Sequence, residues 1–306
     1  MAARIFIDGA AGTTGLEIAA RLNGRAGLDL IRLSDADRKD AGKRRDALNA
    51  ADLVILCLPD DAAIEAVTLI DNPATRVIDA SSAHRVAPEW VYGFPEFRKG
   101  QRQAIGAARY VSNPGCYPTG FLALVAPLVE AGLLAADGRY SVNAVSGYSG
   151  GGKALIQRFE AEPDIAYRSY GLTLGHKHLP EMQVHAGLAH APLFAPAVVP
   201  AFRGMLIEVP LMGERIDAAA MRHALAAHYA DEELITVAKG SAPDELLLRD
   251  NAAPNDRLTL YVFGDSHGQQ ARLIAMLDNL GKGASGACVQ SLNLMLGLPE
   301  YEGLRL

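Results

Sequence analysis

The chain has 306 residues, 50% hydrophobic and 21% charged, a length and balance that suit an ordinary globular protein of two domains. Its net charge of −6, with no basic cluster, excludes the electrostatic footprint of a nucleic-acid partner. Apolar runs such as Leu53-Val-Ile-Leu-Cys-Leu58 are far too short to span a bilayer, so no membrane partner is expected.

The N-terminus enters a strand pattern at once (Arg4-Ile-Phe-Ile-Asp8), leaving no room for a signal peptide. Gly9-Ala-Ala-Gly-Thr-Thr-Gly15 follows, then a helix over Thr13 to Asn23 with Leu16, Ala19 and Ala20 on one face. Glycines between a strand and a helix let the backbone turn tightly and approach a pyrophosphate, which sits against the helix N–H groups. Gly9, Gly12, Thr13, Thr14 and Gly15 are therefore cofactor-binding candidates. The second strand, Asp29 to Ser34, runs into Asp35-Ala-Asp-Arg-Lys39. Asp35 is placed to hold a ribose 2′-hydroxyl and favour NAD, whereas Ser34, Arg38 and Lys39 suit the 2′-phosphate of NADP. Spacing leaves both open.

A third strand over Asp52 to Leu58 reads as buried on both faces and contains Cys57. Asp60 to Ile70 has helical spacing at Ile64, Val67 and Leu69–Ile70, and Arg76 to Asp79 and Arg109 to Ser112 are further short strands. Strand–helix alternation implies a parallel sheet with helical crossovers. Asp79-Ala-Ser-Ser-Ala-His-Arg85 ends a strand in small hydroxyl residues and an arginine, so Ser82 and Arg85 are candidates for binding a carboxylate or phosphate.

Ser112-Asn-Pro-Gly-Cys-Tyr-Pro-Thr119 closes the first domain. Pro114-Gly115 is a turn pair, and Pro118 suits the first turn of a helix running to Ala131. Cys116 therefore lands at a helix N-terminus, where free N–H groups stabilise a thiolate and can hold a developing oxyanion. Cys57 and Cys288 read as small core residues. None of the three cysteines has a paired spacing, which fits reduced thiols in a cytoplasmic protein.

Beyond Pro114 the texture becomes mixed: strands at Tyr140 to Val145, Ala201 to Pro210 and Arg257 to Phe263, with a helix over Ile216 to Tyr229. Ser146-Gly-Tyr-Ser-Gly-Gly-Gly-Lys153 reads as a flexible loop able to cradle an anion or pass under a nicotinamide ring. Gly175-His-Lys-His-Leu-Pro-Glu181 places two histidines beside a glutamate. His176 or His178 could deprotonate a thiol and return the proton, with Glu181 orienting it. A zinc site is the rival reading, but His185 and His190 are scattered and no second ligand pair has a metal spacing, so no metal is expected. Gly281-Lys-Gly-Ala-Ser-Gly286 opens a last helix with Cys288, Leu292, Met295 and Leu296 on one stripe.

The glycine loop, the Ser112–Thr119 turn, His176-Lys-His-Leu-Pro-Glu181 and Gly281-Lys-Gly-Ala-Ser-Gly286 together resemble the N-acetyl-gamma-glutamyl-phosphate reductases, in their shorter form. That family belongs to arginine biosynthesis and to the semialdehyde dehydrogenase superfamily. The resemblance covers essentially the whole chain. It implies a Rossmann-like NADP-binding domain over 1–115 to which 287–306 returns, and a mixed α+β catalytic and oligomerisation domain over 116–286. It also implies NADPH-dependent reduction of N-acetyl-gamma-glutamyl phosphate to the semialdehyde, with Cys116 as nucleophile and His176, His178 and Glu181 as the acid–base region. Arg85, Ser82, Asn113 and Ser149 are then expected at the substrate, and Gly150, Gly151 and Gly283 at the cofactor. Lys153 and the Ser81-Ser-Ala-His-Arg85 stretch depart from the longer members. A sister acyl-phosphate reductase such as aspartate-semialdehyde dehydrogenase, or a non-catalytic nucleotide sensor, would share parts of the pattern. A homodimer or homotetramer is expected.

Overall fold

A computed structural model describes residues 2–34, 36–239 and 243–306, apart from the Lys39 side chain. In chain order the first elements are β1 (Ala3–Asp8), α1 (Thr13–Leu22), β2 (Leu28–Ile31), α2 (Ala41–Ala50), β3 (Leu53–Leu56), α3 (Asp60–Thr68), β4 (Arg76–Asp79), β5 (Val91–Tyr92), α4 (Gln101–Ala107) and β6 (Tyr110–Ser112). Next come α5 (Cys116–Glu130), β7 (Ser141–Gly147), α6 (Gly152–Ala161), β8 (Arg168–Ser169), α7 (Leu179–Ala186), β9 (Leu193–Val199), β10 (Met205–Met212), α8 (Ala218–His228), β11 (Ile235–Val237), β12 (Leu258–Gly264), β13 (Gln270–Leu277) and α9 (Gly286–Leu296). Two compact units result, one of residues 1–114 with 284–304, the other of 115–283 with 305–306. Among the described residues no helix is long and apolar enough to cross a membrane.

The first unit is a Rossmann-like sheet in the order β2-β1-β3-β4-β6-β5, every neighbouring pair parallel. Crossover helices cover both faces, so the four residues of β3 are buried whichever way they point. Helix α9 returns to this unit. Its Cys288, Val289, Leu292 and Met295 join Ile5, Ile18, Leu22, Ile55 and Ile78 in one core cluster. Burial of α9 extends well beyond a single apolar stripe, because its polar side chains are also bonded: Gln290 donates to Glu96 at 2.8 Å and Asn293 to the Glu300 carbonyl at 2.9 Å.

Two expected helix faces are corrected by the structure. Leu16 on α1 is 53% exposed, and the buried stripe is Gly15, Ile18 and Leu22. Ile64 on α3 is 48% exposed, and Ala63 and Ala66 face the sheet instead. In both helices small residues make the close approach to the sheet, Gly15 in α1 and Ala63 and Ala66 in α3, while Leu16 and Ile64 stay outside the core.

The second unit holds a mixed sheet in the order β11-β12-β13-β10-β7-β9-β8. Its strand β10 alternates buried and less buried residues, the period of a sheet covered mainly on one face. The covering helix is α5, buried from Tyr117 to Leu128 and packed on β10 and β13. Helix α5 starts at Cys116 with Pro118 in its first turn, where a proline is tolerated because no intrahelical N–H is needed. The Gly147–Lys153 stretch is also corrected: it forms a short 3-10 turn over Tyr148–Gly151 leading into α6, and Ser149 is buried in it.

Candidate active site

In the second unit the cysteine turn is built from its backbone outward. Gly115 is the N-cap of α5 with extended backbone (φ −74°, ψ 149°), and its carbonyl accepts from both the N–H and the hydroxyl of Thr119 at 2.9 Å. Its own N–H donates to Oε1 of Glu181 at 2.7 Å, and Glu181 is 1% exposed. Cys116 is thereby fixed as the first residue of α5, with the helix's positive end behind it.

Glu181 comes from α7, whose N-cap is His178 and whose second residue is Pro180. The rings of His176 and His178 lie 4.7 Å apart, and the His178 ring is 5.9 Å from that of Tyr117. The His178 backbone N–H donates to Nδ1 of His176 at 3.2 Å. That nitrogen is consequently an acceptor, and a neutral His176 carries its proton on Nε2.

Two phenols complete this corner. The Tyr170 hydroxyl donates to the Tyr117 hydroxyl at 3.3 Å, which donates to the Ala197 carbonyl at 3.2 Å. Burial, followed by the Tyr170 and Cys116 charges, pushes the Tyr117 phenol well above its ordinary value. Burial also raises Tyr170, and Cys116 adds to the shift. Both phenols therefore stay protonated beside the cysteine. Sequence reasoning missed Tyr170, whose only signal is an aromatic ring six residues before the first histidine.

Gly283 lies in the turn over Gly281–Ser285 that precedes α9. A Cβ at that position would stand 2.8 Å from the Cys116 Cβ and 3.2 Å from the Asp278 carbonyl, so the chain closes on Cys116 only with glycine there. Asp278 and Asn279, also missed in the sequence, hold this turn. Asp278 accepts the Gly283 N–H on its carbonyl at 3.0 Å and pairs with Arg203 at 2.7 Å. Asn279 donates to Ser149 Oγ and accepts from the Gly204 N–H, both at 2.9 Å. Gly150 sits on the same asparagine, and Gly151 on Leu155 of α6.

In the first unit, Gly9 has φ +86°, and a Cβ there would lie 2.3 Å from the Cys57 carbonyl. A Cβ on Gly15 would lie 2.6 Å from the Gly9 carbonyl. Gly12 meets nothing closer than 3.6 Å, so the chain's own packing does not demand it. It is the N-cap of α1, directly ahead of Thr13 and Thr14. Ser34 accepts the Asp37 N–H at 3.1 Å, and Arg38 lines a cavity of about 200 Å³ that also touches Gly9 and Ala10. Asp35 lies outside the described residues.

The anion-binding candidates are held firmly. Arg85, 7% exposed, donates through Nε to the Asn113 carbonyl at 3.0 Å and through Nη2 to the Ala80 carbonyl at 3.2 Å. Asn113 donates to the Ala284 carbonyl at 3.1 Å. Ser82 donates its hydroxyl to Asp60 at 2.7 Å.

The remaining cysteines differ from Cys116. Burial pushes the Cys57 thiol up to about 12, with Asp79 and Asp8 adding to it, and burial raises Cys288 well above its ordinary value. Cys57 follows the last residue of β3, Leu56, and so stands at the strand's end and not within it.

These two units correspond to a known pairing. Residues 4–105 match the family described as semialdehyde dehydrogenase, NAD binding domain, and residues 116–279 the semialdehyde dehydrogenase dimerisation domain. The class is that of nicotinamide-dependent semialdehyde dehydrogenases. The crystal structure of aspartate semialdehyde dehydrogenase II complexed with ASA from Vibrio cholerae shares the fold, with a TM-score of 0.71 at 17% identity over 97% of this chain and 99% of that one. Much greater sequence similarity lies elsewhere. The chain is 49% identical to N-acetyl-gamma-glutamyl-phosphate reductase 2 of Nostoc sp., over 98% of its length and 99% of the relative's. It is 50% identical to N-acetyl-gamma-glutamyl-phosphate reductase of Brucella ovis, over 97% and 100%. The chain belongs to the N-acetyl-gamma-glutamyl-phosphate reductase family.

Proposed function

We propose that the protein reduces N-acetyl-gamma-glutamyl phosphate to N-acetylglutamate semialdehyde with NADPH, releasing phosphate, as a step of arginine biosynthesis in the cytoplasm. The observation that carries this reading is the Cys116 turn: a cysteine opening a helix, beside a histidine pair and two protonated phenols, in a chain half identical to reductases of that name. The Rossmann loop suits a dinucleotide, since Gly12 leaves backbone uncovered at the N-terminus of α1 without any internal steric need. Gly9, Gly12, Thr13, Thr14 and Gly15 would hold the pyrophosphate, and Ser34 and Arg38 the adenosine end. Gly150, Gly151 and Gly283 would line the nicotinamide end.

The Cys116 sulfur attacks the acyl carbon, a C–S bond forms, and the C–O bond to phosphate breaks. His178 takes the thiol proton, since Nδ1 of His176 already accepts an N–H and the other nitrogen of the neutral ring is a donor. His176 then serves as a hydrogen-bond donor at the site. The helix N–H groups around Cys116 stabilise the oxyanion of the tetrahedral intermediate. NADPH, when bound, would supply the hydride that converts the thioester to the alkoxide of a thiohemiacetal, and the released phosphate takes its proton from water. Collapse expels the aldehyde, and His178 returns its proton to the Cys116 thiolate. Glu181 holds the cysteine turn, and Arg85, Ser82, Asn113 and Ser149 would be the polar contacts of the substrate's anionic groups.

The unit matched as a dimerisation domain supports assembly as a homodimer or homotetramer. The reverse assay tests the assignment: phosphate and NADP or NAD, with N-acetylglutamate semialdehyde or aspartate semialdehyde. Turnover is expected with the acetylated substrate and NADP; preference for aspartate semialdehyde would reassign the enzyme.

A further inference from the structure

We infer that Arg44, aligned by Asp8, is the residue that recognises the 2′-phosphate of NADP. This rests on the NADPH reading above and names the side chain that carries it. A cavity of about 200 Å³ beside Gly9 and Leu30 is lined in part by three arginines, Arg32, Arg38 and Arg44. They differ in what they do. Arg32 donates to Asn23 at 2.7 Å, away at the end of α1. Arg38 sits in the exposed turn after β2.

Arg44 lies in the first half of α2 and is largely buried, with 17% of its side chain exposed. Its Nε donates to Asp8 Oδ2 at 2.8 Å, and its Nη1 stands 4.0 Å from the largely exposed Glu65. Its Nη2 is buried and has no hydrogen-bond partner among the described residues. A buried guanidinium N–H without an acceptor is destabilising, and a phosphate oxygen supplies a charged one.

Asp8 has a matching role. It ends β1 immediately before Gly9, and a carboxylate beside a nucleotide loop would repel a phosphate. Its bond to Arg44 offsets that charge and fixes the fork of the guanidinium, so the remaining N–H groups are preorganised for a planar or tetrahedral anion. A ribose 2′-hydroxyl, the group NAD presents, offers no charge and gains much less from this arrangement. The preference for NADP thus comes from a helix that follows β2, beyond the strand-end residues where such a preference is ordinarily sought.

The test is direct binding by calorimetry, with 2′,5′-ADP and 5′-ADP as probes. Wild type is expected to prefer 2′,5′-ADP. Arg44→Ala should weaken 2′,5′-ADP by about 10- to 100-fold, the range for a charged hydrogen bond, and leave 5′-ADP within about two-fold. The double variant Asp8→Asn with Arg44→Met removes the guanidinium without stranding a buried carboxylate and should behave alike. Preference for 2′,5′-ADP that survives in both variants overturns the role of Arg44 while leaving the NADPH reading intact. A wild type that binds the two probes equally overturns the NADPH reading and this inference with it.

Discussion

Glu181 accepts the backbone N–H of Gly115 at 2.7 Å, so a buried carboxyl from α7 fixes the residue immediately before the nucleophile. The histidine motif and the cysteine turn are thus one hydrogen-bonded assembly: the helix that His178 caps reaches back to the N-cap of α5. Removing the acceptor strands a buried N–H, at about 1–3 kcal/mol. Glu181→Ala is expected to lower kcat by about 10- to 100-fold, while Glu181→Gln, which keeps an acceptor oxygen, should lose less than about ten-fold. Steady-state kinetics compared with the rate of Cys116 alkylation checks this; equal effects of Ala and Gln would show that the bond to Gly115 is not what matters.

Gly283→Ala should be damaging although it adds a single methyl group. The new Cβ would fall 2.8 Å from the Cys116 Cβ with the Asp278 carbonyl at 3.2 Å on another side. Overpacking of this kind costs about 1–3 kcal/mol, and the strain falls on the nucleophile. Thermal unfolding should show a lower Tm, and kcat should fall at least about ten-fold, since small misplacements of a reacting atom are costly. Unchanged kcat would mean that the Gly281–Ser285 turn is free to move away from Cys116.

The two histidines should separate in their pH behaviour. His178→Asn removes the proton carrier and should depress kcat by about 10²- to 10⁴-fold, with loss of the acidic limb of the pH–rate profile, where protonation of the base otherwise switches the reaction off. His176→Asn can retain an acceptor for the His178 N–H and should keep that limb at a reduced rate. A profile that persists in His178→Asn and vanishes in His176→Asn would exchange their roles.

Cys57 ties stability to alkaline pH. Burial raises its thiol from 9.0 to about 12, so between those values the unfolded chain loses the proton and the folded one keeps it. The stabilisation is fully present below about 9 and is lost as pH rises through about 12. Urea unfolding across this window should show falling stability, and Cys57→Ala should flatten the fall. A slope identical in the variant would place the effect elsewhere, Cys288 being the next group to substitute because burial raises it in the same direction.

What the sequence made legible is what is local. The Gly9–Gly15 loop lies between a strand and a helix as read, and Cys116 opens a helix because Pro114, Gly115 and Pro118 act within a few residues of it. The π-type turn over Gly281–Ser285 before α9 was also marked by its glycines. Pairings across long separations were not legible. Nothing near Asn279 in sequence announces Ser149, and nothing near Arg44 announces Asp8. Helix α2 itself was missed because only Ala47 and Leu48 of its residues are buried, which leaves almost no apolar period to read. The face of α1 was misread for the opposite reason: apolar period was present, yet Leu16 stays outside while Gly15 takes the close contact.

The central claim is a covalent acyl enzyme on Cys116. Its most direct test is intact-protein and peptide mass spectrometry after mixing the enzyme with N-acetyl-gamma-glutamyl phosphate in the absence of NADPH. An N-acetylglutamyl adduct confined to the peptide carrying Cys116, absent in Cys116→Ala and discharged when NADPH is added, is the expected result. Turnover by Cys116→Ala, or an adduct carried by another residue that NADPH discharges, would contradict it.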